Sequence, residues 1–342
     1  MDLSSFKSSL KSGEISGTYI FAGEEDYLVR YYLSELVGAC GIDEAFAVFN
    51  YLSLEGEEID FSAITEAIKS PPMMSDYKLI VWKRADFTRL SEKGLESLSE
   101  LVELCSEYSY VVLAFTAAEE GLDFGNPKKP SAFLKRFDKS INILRFERST
   151  DNQLYSWLKK HFDAHGVSVT LDTVEALVFR SGRSMDVLNN EVEKLSALAK
   201  ARGKSQVSVE DVTEVASSTP ECDTFALSGA ITDRNKAKAY LALSEMKNRR
   251  LDPTVIMGMI ARTYDELLTV SLLLEEGLSQ DSIASMLKMN PYKVKIYISS
   301  ARRYKREHLI SLVSDLSRAD MNSKYGGITG YTAIELFLSQ NL

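Results

Sequence analysis

Leu79-Ile80-Val81-Trp82 is an uninterrupted apolar run of β-forming residues, and such a strand is at home only in a sheet covered on both faces. The residues ahead of it are equally restrictive. Pro71-Pro72 end the helix marked by Phe61, Ile64, Ala67 and Ile68, because proline restricts the residue before it and removes amide donors. Met73 and Met74 follow at once, between that stop and a polar Ser75-Asp76-Tyr77-Lys78 turn. Large flexible thioethers in such a place are either folded inward or offered to a partner. Spacing alone favours the inward arrangement, since cores use methionine as filler.

The surrounding chain supplies the sheet and its cover. Strands are predicted over Thr18–Ala22, Ala45–Leu54, Leu79–Trp82, Tyr110–Phe115 and Ile141–Phe146, with helices near 61–69, 91–106 and 131–137. This alternation predicts a largely parallel sheet with helices on its faces. Residues 121–130, rich in glycine, proline and lysine, read as a surface loop.

Beyond Arg148 the β pattern disappears. Helices are expected through Leu154–Phe162, Leu171–Phe179 and Met185–Ala201, with a short one at Val209–Val212, and Ser217-Ser218-Thr219-Pro220 reads as a linker. Further helices are expected over Ala237–Met246, Thr254–Glu276, Gln280–Met289, Pro291–Tyr304, Glu307–Ala319 and Tyr331–Leu338, with breaks at Gly277, Gly326 and Gly327. The plan is an α/β unit followed by two all-α units.

Three scattered cysteines without a CxxC pair fit a reducing cytoplasm and argue against a zinc site. No apolar run approaches the ~18 residues of a membrane span, so a soluble intracellular protein is expected. The net charge of −9 is unevenly spread, with 25 acidic and 16 basic groups in residues 1–150. By contrast Lys288–Arg306 carries seven cations (Lys288, Lys293, Lys295, Arg302, Arg303, Lys305, Arg306) and no acid. Tyr292, Tyr297 and Tyr304 are interleaved with them, a composition suited to phosphates and base stacking. The alternative is a solvated helix face with Val294, Ile296 and Ile298 packed inward.

Catalytic motifs fail one after another. Strand, glycine turn and helix at Thr18–Leu36 is the opening of a nucleotide-binding βα unit, but its turn reads Gly23-Glu24-Glu25-Asp26. A phosphate loop needs a lysine and a hydroxyl there, whereas carboxylates repel a triphosphate. After the central strand an ATPase places acids for magnesium, and this chain continues Lys83-Arg84-Ala85-Asp86. His161 and His165 have metal-pair spacing without the adjacent glutamate or a third ligand. With His308 the only other histidine, a nucleophile triad lacks its base.

Taken together, Tyr19–Leu28, Pro72–Val81, Gly182–Leu195 and Asp320–Lys324 resemble the delta subunit of the bacterial DNA polymerase III clamp loader. The resemblance implies an AAA+-like, RecA-like domain without a working ATP site over 1–148, a helical lid over 149–218 and a helical collar over 219–342. It also implies a protein that binds and opens the sliding clamp (beta) without hydrolysing ATP and without a cofactor. Expected partners are the gamma/tau ATPase subunits, delta-prime and primer-template DNA, with no membrane. Pro72, Met73 and Met74 match the family's clamp-binding wedge, with methionines where some relatives carry Leu-Phe, so the resemblance reverses the inward reading. Tyr292, Lys293, Lys295, Arg302 and Arg303 lie where the family meets DNA. The other readings are a divergent nucleotide hydrolase using Glu24, Glu25 or Asp26, and a stand-alone nucleic-acid-binding module.

Overall fold

The computed structural model describes residues 1–126, 128–325 and 327–342; Pro127, in the expected surface loop, and Gly326, an expected break, lie outside the described residues. The chain divides into two compact units, Met1–Asp151 and Asn152–Leu342.

The first unit is built on β1 (Gly17–Gly23), β2 (Tyr51–Glu55), β3 (Lys78–Lys83), β4 (Val111–Ala118), a hairpin of β5 (Gly125–Asn126) and β6 (Lys129–Pro130), and β7 (Ile141–Phe146). Five of them form one sheet in the order β2-β3-β4-β1-β7, every pairing parallel. Its helices are α1 (Leu3–Ser12), α2 (Asp26–Ala39), α3 (Ala47–Asn50), α4 (Phe61–Lys69), α5 (Glu92–Glu107) and α6 (Ala132–Phe137). Strand alternation sorts the side chains of β1 to opposite faces. Ile20 and Ala22 join Ile64 and Ile68 of α4, Leu98 and Leu101 of α5 and Phe133 and Phe137 of α6 in one core. Tyr19 and Phe21 join Phe6 of α1 and Val29, Leu33 and Leu36 of α2 in the other. The result is the three-layered, RecA-like α/β architecture expected of a parallel sheet.

The strand expected over Ala45–Leu54 is shorter than its apolar run. The Asp43 carboxylate accepts from the Ala45 amide at 2.8 Å and starts a 3-10 turn at Glu44–Phe46 that runs into α3. Strand structure begins only at Tyr51, opposite Leu79. β3 itself starts at Lys78, one residue before the Leu79 that Tyr51 faces, so residues 45–49 have no length of β3 to pair with.

The second unit opens with α7 (Asp151–Ala164), β8 (Ser168–Val169), α8 (Leu171–Ser181), α9 (Met185–Ala201), β9 (Gln206–Val207) and α10 (Val209–Val215). It continues through α11 (Pro220–Thr232), α12 (Lys236–Asn248), α13 (Pro253–Glu275), α14 (Gln280–Leu287), α15 (Pro291–Ala301), α16 (Arg306–Tyr325) and α17 (Gly330–Asn341). The stretch read as a linker is not loose. Thr219 caps α11 by accepting from Cys222, with Pro220 in the first turn, the position proline tolerates best. Ser181 donates to the Ser217 carbonyl at 2.7 Å and Arg180 Nε to the Ala216 carbonyl at 2.6 Å. α13 lies at the centre of the later helices, with Ile256, Ile260, Tyr264, Leu267 and Val270 all in one core.

A capping box starts α10. Ser208 accepts from the Asp211 amide while the Asp211 carboxylate takes the Ser208 amide, Lys204 and Arg202. The Ser208 amide and then the Lys204 ammonium hold the Asp211 carboxyl down at about 2. A carboxylate depressed in the folded state contributes stability above its unfolded pKa near 3.8 and loses it as pH falls through about 2. Asp211→Asn should therefore lower the Tm at pH 7 and flatten the loss of stability between pH 4 and pH 2, as read by circular-dichroism melts across that window.

Candidate functional site

Two places could carry chemistry in the first unit, and the first is the turn after β1. Phosphate binding needs backbone amides left free to cradle oxygens. Here the Glu25 amide donates to the Phe146 carbonyl at 3.1 Å. Gly23 has φ +142, and a Cβ on it would stand 2.3 Å from that same carbonyl oxygen. The glycine is accounted for by the close approach of β7's end, not by a ligand. Gly23→Ala should cost more than about 2 kcal/mol, measured by denaturant unfolding.

The end of β3 is committed in the same way. Arg84 sits at φ +59, with its amide donating to Thr116 Oγ1 at 3.1 Å and its guanidinium 2.9 Å from Glu55. Asp86 accepts from the Thr88 amide and hydroxyl and pairs with Arg89 at 2.9 Å, which makes it the cap of a 3-10 turn. A cleft of about 760 Å³ opens at these strand ends, lined by both signs of charge, among them Asp26, Arg30, Glu55 and Lys83. Among the described residues no group of three or more His, Cys, Asp or Glu side chains could hold a metal. His161 is part of a helix surface, its Nδ1 donating to the Trp157 carbonyl at 3.0 Å and its ring against the indole. Burial lowers its pKa.

The second place is the bend between α4 and β3. Met73 is 48% exposed and Met74 80%, so both are outward rather than tucked. The backbone that carries them is tied down on both sides. Asn50, fully buried at the end of α3, donates to the Met73 carbonyl and accepts from the Met73 amide, both at 2.7 Å. Lys78, buried at the start of β3, donates Nζ to the Ser70 carbonyl at 2.9 Å, and burial lowers its pKa. Tyr77 donates its hydroxyl to the Gly13 carbonyl at 2.7 Å. Met74 is held at φ +52, a left-handed conformation costing a non-glycine residue ~1–2 kcal/mol. Met74→Gly should leave the Tm unchanged or higher in a thermal melt, since it relieves the backbone and gives up little burial.

The cationic stretch of the second unit is more heavily paired than its sequence suggests. Lys293, with its side chain 14% exposed, lies 2.6 Å from Glu221 and 3.1 Å from Glu266. Lys295 pairs with Asp172 at 2.9 Å, and Arg303 faces Asp233 at 3.9 Å. The ring of Tyr292 is half-buried against Phe179, 5.8 Å between centroids. Tyr297 is a core residue whose hydroxyl donates to Glu266 at 2.8 Å, and Tyr304 donates to Asp233 at 2.7 Å. Lys295, Arg302, Arg303, Lys305 and Arg306 remain exposed. The acids that answer the run come from α8, α11, α13 and the α11–α12 turn, which no local count could reveal. Asn50 gives only a slight signal in the sequence, a polar residue ending an apolar run just before a strand.

The first unit is a RecA-like parallel sheet whose first turn spends its Glu25 amide on the Phe146 carbonyl, and an all-helical region follows it in the chain. A family model described as "DNA polymerase III, delta subunit" matches residues 19–147, and one described as "DNA polymerase III delta subunit, C-terminal domain" matches 221–341. The chain belongs to the DNA polymerase III delta subunit family, clamp-loader proteins of DNA replication. It is 26% identical to the DNA polymerase III subunit delta of Bacillus subtilis (strain 168), over 98% of this chain and 95% of that one. To the probable DNA polymerase III subunit delta of Aquifex aeolicus (strain VF5) it is 24% identical, over 90% of this chain and 85% of the other. The solved Bacillus subtilis DNA clamp loader delta protein shares its fold, with a TM-score of 0.57, 21% identity and 98% of both chains covered.

Proposed function

We propose that this delta subunit binds the sliding clamp (beta) through Met73 and Met74, oriented by Pro72, and opens it for loading onto primed DNA without hydrolysing ATP itself. The observation that carries this reading is the pair of exposed methionines on a backbone bend anchored from both sides. A backbone already fixed loses little further conformational freedom on docking, so the ordering cost is confined to the two flexible side chains. The spent Glu25 amide and the engaged Asp86 carboxylate support a non-catalytic subunit. ATP held by the gamma/tau subunits would then alter how often this bend is presented, a shift of population driven from a neighbour.

In this reading residues 1–148 form the clamp-binding domain, 149–218 the lid and 219–342 the collar that meets the ATPase subunits and delta-prime, and the protein works in the cytoplasm. Primer-template DNA meets Lys295, Arg302 and Arg303, which carry exposed charge, while Tyr292 and Lys293 shape the surface from half-buried positions. Each thioether buried on docking is worth ~1.5–3 kcal/mol. Met73→Ala with Met74→Ala should thus weaken clamp binding by roughly 30-fold or more, read by surface plasmon resonance, with the Tm unchanged. Equal affinity for wild type and variant would sink the wedge, and ATP turnover by the isolated chain would sink the non-catalytic assignment. Arg302→Ala with Arg303→Ala should lower the slope of log affinity for primed DNA against log salt by about 2, measured on the assembled loader.

A further inference from the structure

α14 and α15 are joined by only three residues, Lys288-Met289-Asn290, the connection of a helix-turn-helix. Lys288 makes the turn sharp by taking a left-handed conformation at φ +50, and Asn290 caps α15 by accepting from the Tyr292 amide at 2.8 Å. Gln280 donates to the Pro291 carbonyl at 3.2 Å, which ties the starts of the two helices together. Ile283, Ala284, Val294 and Tyr297 are buried in the core around α13, so the inner faces of both helices are fixed. The outer face is polar. Lys295, Ser299 and Arg302 are exposed, spaced four and three residues apart so that they share one stripe of α15. Together with Ser279, Leu278 and Ile298 they line an open pocket of about 470 Å³, with no carboxylate in its lining. Among the described residues the Ser299 hydroxyl and the Arg302 guanidinium have no side-chain partner. The Lys295 ammonium lies 2.9 Å from Asp172 of α8.

We infer that this pocket takes a backbone phosphate of duplex DNA on Lys295, Ser299 and Arg302, and that Asp172 holds Lys295 in the free protein, so that DNA binds by displacing an internal carboxylate. This rests on the DNA reading above and adds to it the pocket, the hydroxyl and the competitor. Two cations and a free hydroxyl around an open pocket match the acceptor oxygens of a phosphate. The contact is to phosphate and not to bases. A helix-turn-helix reads bases with the first turn of its second helix, and in α15 that turn faces the protein: Tyr292 lies against Phe179, and Lys293 between Glu221 and Glu266. Only the later part of the helix is left to meet DNA, and phosphate contacts carry no sequence information. The Lys295–Asp172 pair is suited to exchange, because both side chains are more than half exposed and such pairs are weak.

The test is fluorescence anisotropy of a labelled duplex of about 20 base pairs, two helical turns, titrated with the full chain across a salt series, with folding checked by circular dichroism. Ser299→Glu, which sets a carboxylate in the pocket without touching the core, is expected to weaken binding about tenfold at unchanged Tm. Asp172→Asn is expected to tighten binding about threefold and to steepen the fall of log affinity with log salt by about 1. It is expected to do neither once Lys295 is alanine, because the carboxylate acts through that ammonium. No binding by the wild-type chain, full affinity of the Ser299→Glu variant, or the same gain from Asp172→Asn with and without Lys295 overturns the inference; a loss of affinity in the assembled loader carrying Arg302→Ala with Arg303→Ala then leaves the DNA reading standing. If that loader also binds like wild type, both fall.

Discussion

The backbone contact between the end of β7 and the turn after β1 is the constraint on which the first unit turns. β1 lies between β4 and β7, and the Phe146 carbonyl approaches so closely that only glycine fits at position 23. The same carbonyl then accepts the Glu25 amide. In parallel α/β sheets the crevice beyond the strand ends is where ligands normally enter. Here the Glu25 amide is spent on the neighbouring strand's Phe146 carbonyl, and at the exit of β3 Arg84 pairs with Glu55 and Asp86 with Thr88 and Arg89, beside the charged cleft of about 760 Å³. The sheet remains as a scaffold, and its exposed apolar residues lie on the connections between strands.

Electrostatics in the second unit works in the opposite direction to composition. A run of seven cations without an acid suggests an open basic surface, yet Glu221, Glu266, Asp172 and Asp233 arrive from other helices to pair with it. Such pairs restrain α15 against α8, α11 and α13 more than they stabilise the unit, because exposed ion pairs contribute little. The better buried Lys293, between two glutamates with Tyr297 donating to one of them, is a structural cation first. Charge that remains exposed is concentrated after Ala301, where α15 ends.

Much of this protein is written locally. The β-forming runs, the proline stop before Met73, the Thr219-Pro220 helix start and the loss of lysine, hydroxyl and magnesium-binding acids from the nucleotide motifs all follow from residue chemistry within a few positions. So does the parallel α/β class, since alternation of strands and helices admits few other arrangements. Spacing alone turned Met73 and Met74 inward and only the resemblance turned them outward; the tertiary structure shows them exposed and adds what neither reading contained, Asn50, distant in sequence, satisfying the Met73 backbone. It also decided that residues 47–50 are a helical turn, since a strand exists only where a partner strand lies alongside. Local propensity is a property of neighbours in sequence, whereas burial, hydrogen-bond satisfaction and ion pairing belong to neighbours in space. At the bend, in the turn of α3 and along the basic run, the two sets of neighbours differ.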